Sequence, residues 1–379
     1  MLRLPRGAHL WLPGYVRHAV RRLPPIDGVI DILFCVADHY EPGRKQPGLD
    51  VERARVRAWL DGYPRIARQF QDADGRPPRH TFFYPIEEYR REHLDGLAAL
   101  CGQGFGEVEI HLHHDCDTSE NLTASLRDFV HCLAAGHRLL ARRRDGEPAY
   151  AFIHGNWALD NSRPDGRWCG VNDEISVLLK TGCYADMTMP AAPELAQTRT
   201  VNRIYYAVDD PARPKSHDVG TQAQVGRAPS AEELLLVQGP LALDWVNRKA
   251  GVVPRLDAAS IDASSPPTLD RFRRWVRTGI SVAGRPDWIF IKAHTHGAAE
   301  PNAAVLLGPA MERFHRDITT HFNDGRKYRL HYVTAREMVN VIRAAEAGER
   351  GNAGAFRDYD LQAGSVTGSR LQALEPQHT

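Results

Sequence analysis

Short apolar runs separated by amphipathic stretches recur along this chain, and that alternation is what repeated strand–helix units produce. Val29 to Ala37 (VIDILFCVA) reads as a buried strand, and Leu49 to Phe70 carries the helical period that follows it, disturbed at Gly62 and Pro64. His80 to Tyr84 predicts a second strand and Tyr89 to Cys101 a second helix. Gly106 to His113 (GEVEIHLH) alternates strictly, so its polar members share one face of a third strand. Asp117 or Thr118 caps a helix expected to reach about Arg144, and Tyr150 to His154 is the fourth strand. Asn172 or Asp173 caps a further helix that ends at Gly182, with Cys183 to Met189 as a fifth strand.

From Pro190 to about Pro267 the rhythm breaks. Strand-like VNRIYYAV and LLLVQGPLAL flank a polar loop, DDPARPKSHDVG, which reads as an insertion or an elaborated edge. Regularity returns with a helix from Thr268, a strand from Trp288 to Ala293, a helix from about Ala310 to Phe322 and a strand from Tyr328 to Val333. Thr334-Ala-Arg-Glu337 is a capping box that opens the last helix. Seven or eight strands alternating with helices fit either a (β/α) barrel or an open doubly wound sheet. The barrel is favoured, because no G-x-G-x-x-G follows the first strand and no G-x-x-x-x-G-K-[ST] occurs anywhere. The expected organisation is an N-terminal extension over 1–28, a barrel over 29–345 with its insertion at about 190–267, and a loosely held tail over 346–379.

Charge narrows the partners. Lys and Arg number 48 against 47 Asp and Glu, a net charge of +1, so nothing draws the whole chain to nucleic acid or to anionic lipid. No stretch approaches the roughly 18 apolar residues of a membrane span, and Pro and Arg interrupt the N-terminus before a signal-peptide core can form. A cytoplasmic location is therefore expected. The six cysteines, Cys35, Cys101, Cys116, Cys132, Cys169 and Cys183, contain no C-x-x-C pair, which predicts reduced, mostly buried thiols. Histidine is the unusual residue, with 18 copies.

Many of those histidines fall where strands end, the edge at which a barrel places its chemistry. The first strand ends in Asp38-His39-Tyr40-Glu41 and the third in His111-Leu-His113-His114-Asp115-Cys-Asp117. The fourth ends in His154-Gly-Asn156-Trp157, the fifth in Tyr184-Ala-Asp186, and the strand near residue 290 in Lys292-Ala-His294-Thr-His296-Gly297. Asp38, His154, Asp186 and His294 are accordingly expected to converge in one pocket. Gathering so many ionisable groups is costly unless a cation or a mutual network offsets it, which predicts a metal within the site. His111 and His113 share a face, and Asp117 follows four residues after His113. Imidazole and carboxylate at this spacing suit Zn²⁺, or Mn, Co, Ni or Fe, with a position left open for water. Asp117 equally suits a helix N-cap. Asp38, His39 and Glu41 offer a ligand and a general base, although a turn after a strand also uses Asp for local hydrogen bonds.

These motifs resemble the polysaccharide deacetylase superfamily, with its NodB-homology barrel, over roughly Val29 to Ala345. Members of that family end strand one with an aspartate pair, one a base and one a metal ligand; here Asp38 is followed by His39. The family's E-I-x-L-H segment, with a further histidine four residues on, is matched by Glu109-Ile-His111-Leu-His113, with Asp117 in the place of the second histidine. Its Arg-Pro-Pro-Tyr groove wall is replaced by His154-Gly-Asn156-Trp157, and its Leu-x-His motif looks like Ile291-Lys-Ala-His294, with His296 a second candidate.

The resemblance implies an irregular (β/α)7-8 barrel of the polysaccharide deacetylase type with an insertion after the fifth strand. It implies a divalent metal, zinc first, held among Asp38, His39, His113 and Asp117, with Asp38 as base and His294 or His296 as acid. The reaction would remove an N- or O-acyl group from a carbohydrate by metal-activated water. Asn156, Tyr184 or a backbone N–H near Tyr40 would stabilise the oxyanion, and Trp157 and Tyr184 offer faces for sugar stacking. Glu41, His111, His154 and Asp186 would line the substrate region, joined by His217 if the segment Asp209 to Gly220 folds over the rim. Two other classes compete. An amidohydrolase-type C–N hydrolase also binds metal through His-x-His, but closes its first strand with that pair rather than its third. A catalytically degenerate barrel would bind a glycan or support a polysaccharide biosynthesis complex, and need not carry stoichiometric metal.

Overall fold

The computed structural model describes residues 7–21 and 26–364. Helix α1 (Ala8–Ala19) precedes strand β1 (Ile30–His39), after which the chain runs through α2 (Leu49–Ala67), β2 (His80–Pro85), α3 (Arg91–Gly102), β3 (Gly106–Leu112), α4 (Ser119–His131), β4 (Ala141–Arg142), β5 (Pro148–His154), α5 (Glu174–Lys180) and β6 (Cys183–Asp186). The interrupted region supplies β7 (Ile204–Val208), β8 (Thr221–Gln222), β9 (Glu233–Val237), β10 (Ala242–Lys249) and β11 (Val253–Asp257). Then come α6 (Leu269–Thr278), β12 (Trp288–Thr295), α7 (Glu300–Leu306), α8 (Pro309–Phe322), β13 (Tyr328–Tyr332) and α9 (Ala335–Glu346).

A mostly parallel eleven-stranded sheet organises these elements in the order β12-β1-β2-β3-β5-β6-β9-β7-β8, with β13 also on β1 and β4 on β5. Alternation along β1 divides the core. Ile32, Phe34 and Val36 pack with residues of α2, α3, α4, α6 and α8, whereas Leu33, Cys35 and Ala37 pack with Met338, Val341 and Ile342 of α9. The sheet therefore has a face covered by several helices and an opposite face into which α9 is set. Thr334 caps α9 through the predicted capping box, and Arg336, Glu337 and Asn340 are buried with it because each finds partners. Arg336 donates to Glu107 and to the Leu361 carbonyl, and Asn340 to the Arg357 carbonyl.

Several details differ from the expected outline. Among the described residues no ladder joins β12 to β8, so hydrogen bonding does not close the sheet into a ring. Of the two readings of the interrupted region, the elaborated edge is the one found: β9 pairs in parallel with β6 through Asp186 and Leu236, and β7 runs antiparallel to β9. Only β10 and β11 form a separate hairpin. Helix α4 passes after His131 into a π-helical turn over Cys132–Gly136 and stops there, short of Arg144, since Arg138 and Leu140 adopt left-handed backbone (φ 56 and φ 70) that no helix continues through.

The expected loose tail is also fastened as far as residue 364. Arg357 is 2% exposed and its guanidinium meets Asp72 at 2.6 Å and Asp74 at 2.7 Å. Residues 365–379, like 1–6 of the N-terminal extension, lie outside the described residues. Among those described, no helix is long and apolar enough to cross a membrane, and all six cysteines are free thiols.

Parallel pairing brings the C-terminal ends of β12, β1, β2, β3 and β5 to one edge. Ala37 lies opposite His294, His39 opposite Phe83, Pro85 opposite His111, and Leu112 opposite His154. That edge carries the polar residues at issue.

Candidate metal centre

In β3 the strict alternation sends Val108, Ile110 and Leu112 to the many-helix face, leaving Glu107, Glu109, His111 and then His113 for the other. On that side Glu41, which follows β1, is 4% exposed and sits between two imidazoles. Its Oε1 lies 3.2 Å from His111 Nε2 and 3.4 Å from His113 Nε2, while Oε2 accepts from Arg44 at 2.8 Å.

The far nitrogens of both rings are already committed. His111 Nδ1 donates to the Ile153 carbonyl at 3.1 Å, and His113 Nδ1 donates to the Glu87 carboxylate. A carbonyl or carboxylate only accepts, so Nδ1 of each ring carries a proton and Nε2 is the nitrogen left to face Glu41, as an N–H donor while the ring is charged or as a lone pair towards a cation. Two imidazole nitrogens and one carboxylate oxygen thus converge. Such a meeting is stable if the imidazoles are protonated or if a cation lies among them, and histidines oriented through their other nitrogen are the arrangement metal sites use. The charges show the same demand. Burial works against an ionised Glu41, yet hydrogen bonds from His111 and His113 hold its carboxyl well below the carboxylate range. Burial likewise opposes a charged His113, but Glu41 and Glu87 push it up to about 10.

His39 and His296 form a second trio with the same Glu41, their ligand atoms within 4.8 Å of one another. Their rings stack at 4.7 Å, and His39 meets the His111 ring edge-on at 4.8 Å. Burial, followed by the neighbouring His296 and His111, holds His39 well below the usual imidazole range, and burial lowers His296 to about 4. Both are uncharged at neutral pH. Trp157, in left-handed backbone (φ 57), places its indole 5.7 Å from His39 and 5.9 Å from His296. His294 stands beside the group, 6.4 Å from His39, and burial lowers it to about 3.

The other expected residues lie elsewhere, mostly because the strand period is two and neighbours in sequence face apart. Asp38 is on the opposite side of β1 from His39. Its fully buried carboxylate accepts from the Gly297 N–H at 2.6 Å and is 2.9 Å from His80 Nε2. A Cβ on Gly297 would stand 2.1 Å from Asp38 Oδ2, so glycine is what permits this approach. Asp117 accepts from Thr118 N at 2.8 Å and Asn121 Nδ2 at 2.7 Å, and faces His114 rather than His113. Thr118 itself is the N-cap.

His154 follows Ile153 and so turns to the many-helix side, beside His114, with its Nδ1 facing the Asn156 N–H. Asp186 accepts from the Thr188 N–H and hydroxyl, and burial lifts it to about 7 near Lys292. Tyr184 donates its hydroxyl to Glu109, which burial raises to about 8. His217 is fully buried behind Tyr205, whose hydroxyl donates to its carbonyl, and lies outside both trios. Asp38, His154, Asp186 and His294 therefore do not converge. The residues that do are His39, Glu41, His111, His113 and His296.

Glu87, the partner of His113, is absent from the expected set although the sequence carries its signal: it lies two residues past the end of β2, and the strand-end pattern extended to every strand includes it. His80 begins β2 and carries no such signal.

No protein-family model and no curated protein matches the chain. Among solved structures, one described as a "putative polysaccharide deacetylase" from Mycobacterium smegmatis aligns with a TM-score of 0.46 at 10% identity, over 87% of this chain and 95% of that one. A likeness that loose carries no argument about activity.

Proposed function

We propose that this protein is a metal-dependent hydrolase that removes an acyl group from a carbohydrate, with Glu41, His111 and His113 as the core of the metal centre. The observation that carries the reading is the convergence of two Nε2 atoms on one carboxylate oxygen, each ring held by an acceptor at Nδ1. The donor set of two imidazoles and a carboxylate fits zinc or a similar divalent ion. When bound, such an ion supplies a water of lowered pKa and polarises the acyl carbonyl.

The chain's own groups do the rest. Ile153 and Glu87 hold the two rings in register, and Arg44 fixes the second Glu41 oxygen. His39 is fully buried, with no partner at Nδ1 among the described residues, and backs the stacked ring of His296. His296 is partly exposed beside Trp157 and uncharged at neutral pH, so it is the group placed to take or return a proton. Asp38 positions that residue through the Gly297 turn instead of acting as the base. Carbohydrate as substrate class rests on the motif resemblance and on the indole face of Trp157, a surface on which a sugar ring stacks.

The test is a panel of acetylated amino sugars, oligosaccharides and aryl esters, assayed with Zn²⁺, Mn²⁺ and Co²⁺ on the parent and on Glu41→Gln. The parent should release acetate from at least one substrate, and Glu41→Gln should lose both the metal and the activity. Metal-loaded parent that releases acetate from none would move the reading to a glycan-binding barrel.

A further inference from the structure

We propose a second metal site, closed and structural in kind, in which His114, His154, Cys169 and Glu174 hold zinc on the many-helix side of the same strand ends. It is independent of the reaction assigned above. His114 immediately follows His113 and so faces the other way, His154 ends β5, Cys169 lies in the loop between β5 and α5, and Glu174 opens α5. One ligand atom from each lies within 4.8 Å of the others. His114 Nε2 is 3.1 Å and His154 Nε2 4.0 Å from Glu174 Oε1, and Cys169 Sγ is 3.4 Å from Glu174 Oε2.

Three features point to a ligand. First, His154 Nε2 is fully buried, aimed into the cluster and without a hydrogen-bond partner among the described residues, a costly state for a polar atom. Second, the backbone N–H groups of Asn161 (3.3 Å) and Val171 (3.5 Å) both point at Cys169 Sγ, while the thiol itself donates towards Glu174 Oε2 and so turns its proton into the cluster. A divalent ion there would displace the Cys169 thiol proton and stand between the sulfur and the buried Glu174 carboxylate. Third, Asp117 Oδ2 stands 3.2 Å from His114 Nδ1, and the Asp160 N–H donates to Glu174 Oε2 at 2.6 Å. A carboxylate behind a ligating histidine is a recurrent outer support of metal sites.

One sulfur, two imidazoles and one carboxylate make a tetrahedral zinc set with no position left for water, hence a structural assignment. Loading expels the Cys169 thiol proton and leaves His154 Nε2 bare. The His154 ring proton then resides on Nδ1, and its 3.3 Å contact with the Asn156 N–H opens. The site would tie β3, β5 and α5 to the loop that starts His154-Gly-Asn156-Trp157, and so hold the indole that walls the first centre.

Only this site contains sulfur, which makes the two distinguishable. The full-length protein, stripped with chelator and reloaded with Co²⁺, should show a thiolate-to-cobalt charge-transfer band and bind two metals. Cys169→Ser should lose the band, bind one metal and melt at a lower temperature, whereas Glu41→Gln should keep the band and bind one. If Cys169→Ser does not fold, His154→Gln read on the same band decides, since an unchanged band overturns the assignment. A parent without the band, or a band that survives in Cys169→Ser, also overturns it. A parent that shows the band but hydrolyses nothing leaves this site standing and refutes only the hydrolase reading.

Discussion

Glu87→Ala tests the tautomer argument on which the metal centre rests. Glu87 accepts from His113 twice, at the ring Nδ1 and at the backbone N–H (3.3 Å), and thereby fixes both the ring's orientation and the position of its proton. Removing a carboxylate that supports a ligating histidine typically costs about 10- to 100-fold in metal affinity, which is about 1.4 to 2.7 kcal/mol. The Glu87 side chain is 38% exposed, so water screens its charge and partly replaces it. His111 keeps its own support from Ile153, and half of the pair stays oriented. Both facts place the expected loss in the lower part of the range, about 10- to 30-fold, with Glu87→Gln between parent and alanine because it keeps an acceptor oxygen. Competition with a chromogenic chelator for Zn²⁺ measures it, alongside a thermal melt to show that the variant is folded. A folded Glu87→Ala that binds within twofold of the parent would mean that His113 is not held by its Nδ1 bond, and the inference of a cation facing Nε2 would fail.

Trp157→Ala should raise KM for carbohydrate substrates by about tenfold, the order expected for a lost aromatic face, while turnover of small aryl esters stays close to the parent value; steady-state kinetics on both substrate types separates the two effects. Asp74→Asn should cost stability by about 1 to 2 kcal/mol, less than a fully buried pair because this carboxylate is partly screened, and the cost should depend on pH. Burial opposes protonation of His331, but hydrogen bonds to Asp31 and Asp74 outweigh it and raise its folded pKa. Stability from that pairing is present below the unfolded value and is lost as pH rises through the folded one. Urea melts should therefore show a larger parent-to-variant difference near pH 6 than near pH 9, and an equal difference at both would refute the assignment.

The period-two pattern of β3 is readable from sequence and puts His111 and His113 side by side. The same period governs the consecutive polar residues at strand ends, and there it separates them. Asp38 with His39, and His113 with His114, look like single rims in the sequence, but backbone alternation deals them to opposite faces. That is why one expected pocket resolves into two clusters. Partners such as Glu174 for His114 and Arg357 for Asp72 come from distant parts of the chain, and no local pattern announces them. The described part of the expected loose tail, up to residue 364, is held for this reason: its anchor is a buried ion pair with the loop after α2. Cys169 has no C-x-x-C neighbour and so gives no metal signal in the sequence, although its companions at the site are histidines and a glutamate that only folding brings near.

The role of Asp38 can be decided by how its loss divides between stability and rate. As a base it would touch the reacting water, and Asp38→Asn would keep the fold while kcat fell by about 10² to 10⁴. The structure instead commits both carboxylate oxygens, one to the Gly297 N–H and one to His80, inside a site closed by the Trp59 indole, which donates to the Gly297 carbonyl at 2.9 Å. An asparagine keeps the Gly297 bond and turns its NH₂ group towards His80, which must then accept through Nε2, and loss of the carboxylate's charge-assisted bonding at this buried position costs about 1 to 3 kcal/mol. A positioning role therefore predicts a destabilised variant with its metal retained, KM little changed and kcat lowered by a smaller factor, because His296 sits one residue before the loosened turn. Gly297→Ala should reproduce the same pattern without altering any ionisable group, since its Cβ would collide with Asp38 Oδ2 at 2.1 Å. If Asp38→Asn is as stable as the parent yet loses a thousandfold or more in kcat, while Gly297→Ala does not, the carboxylate reaches the reacting atoms after all and the positioning assignment is wrong.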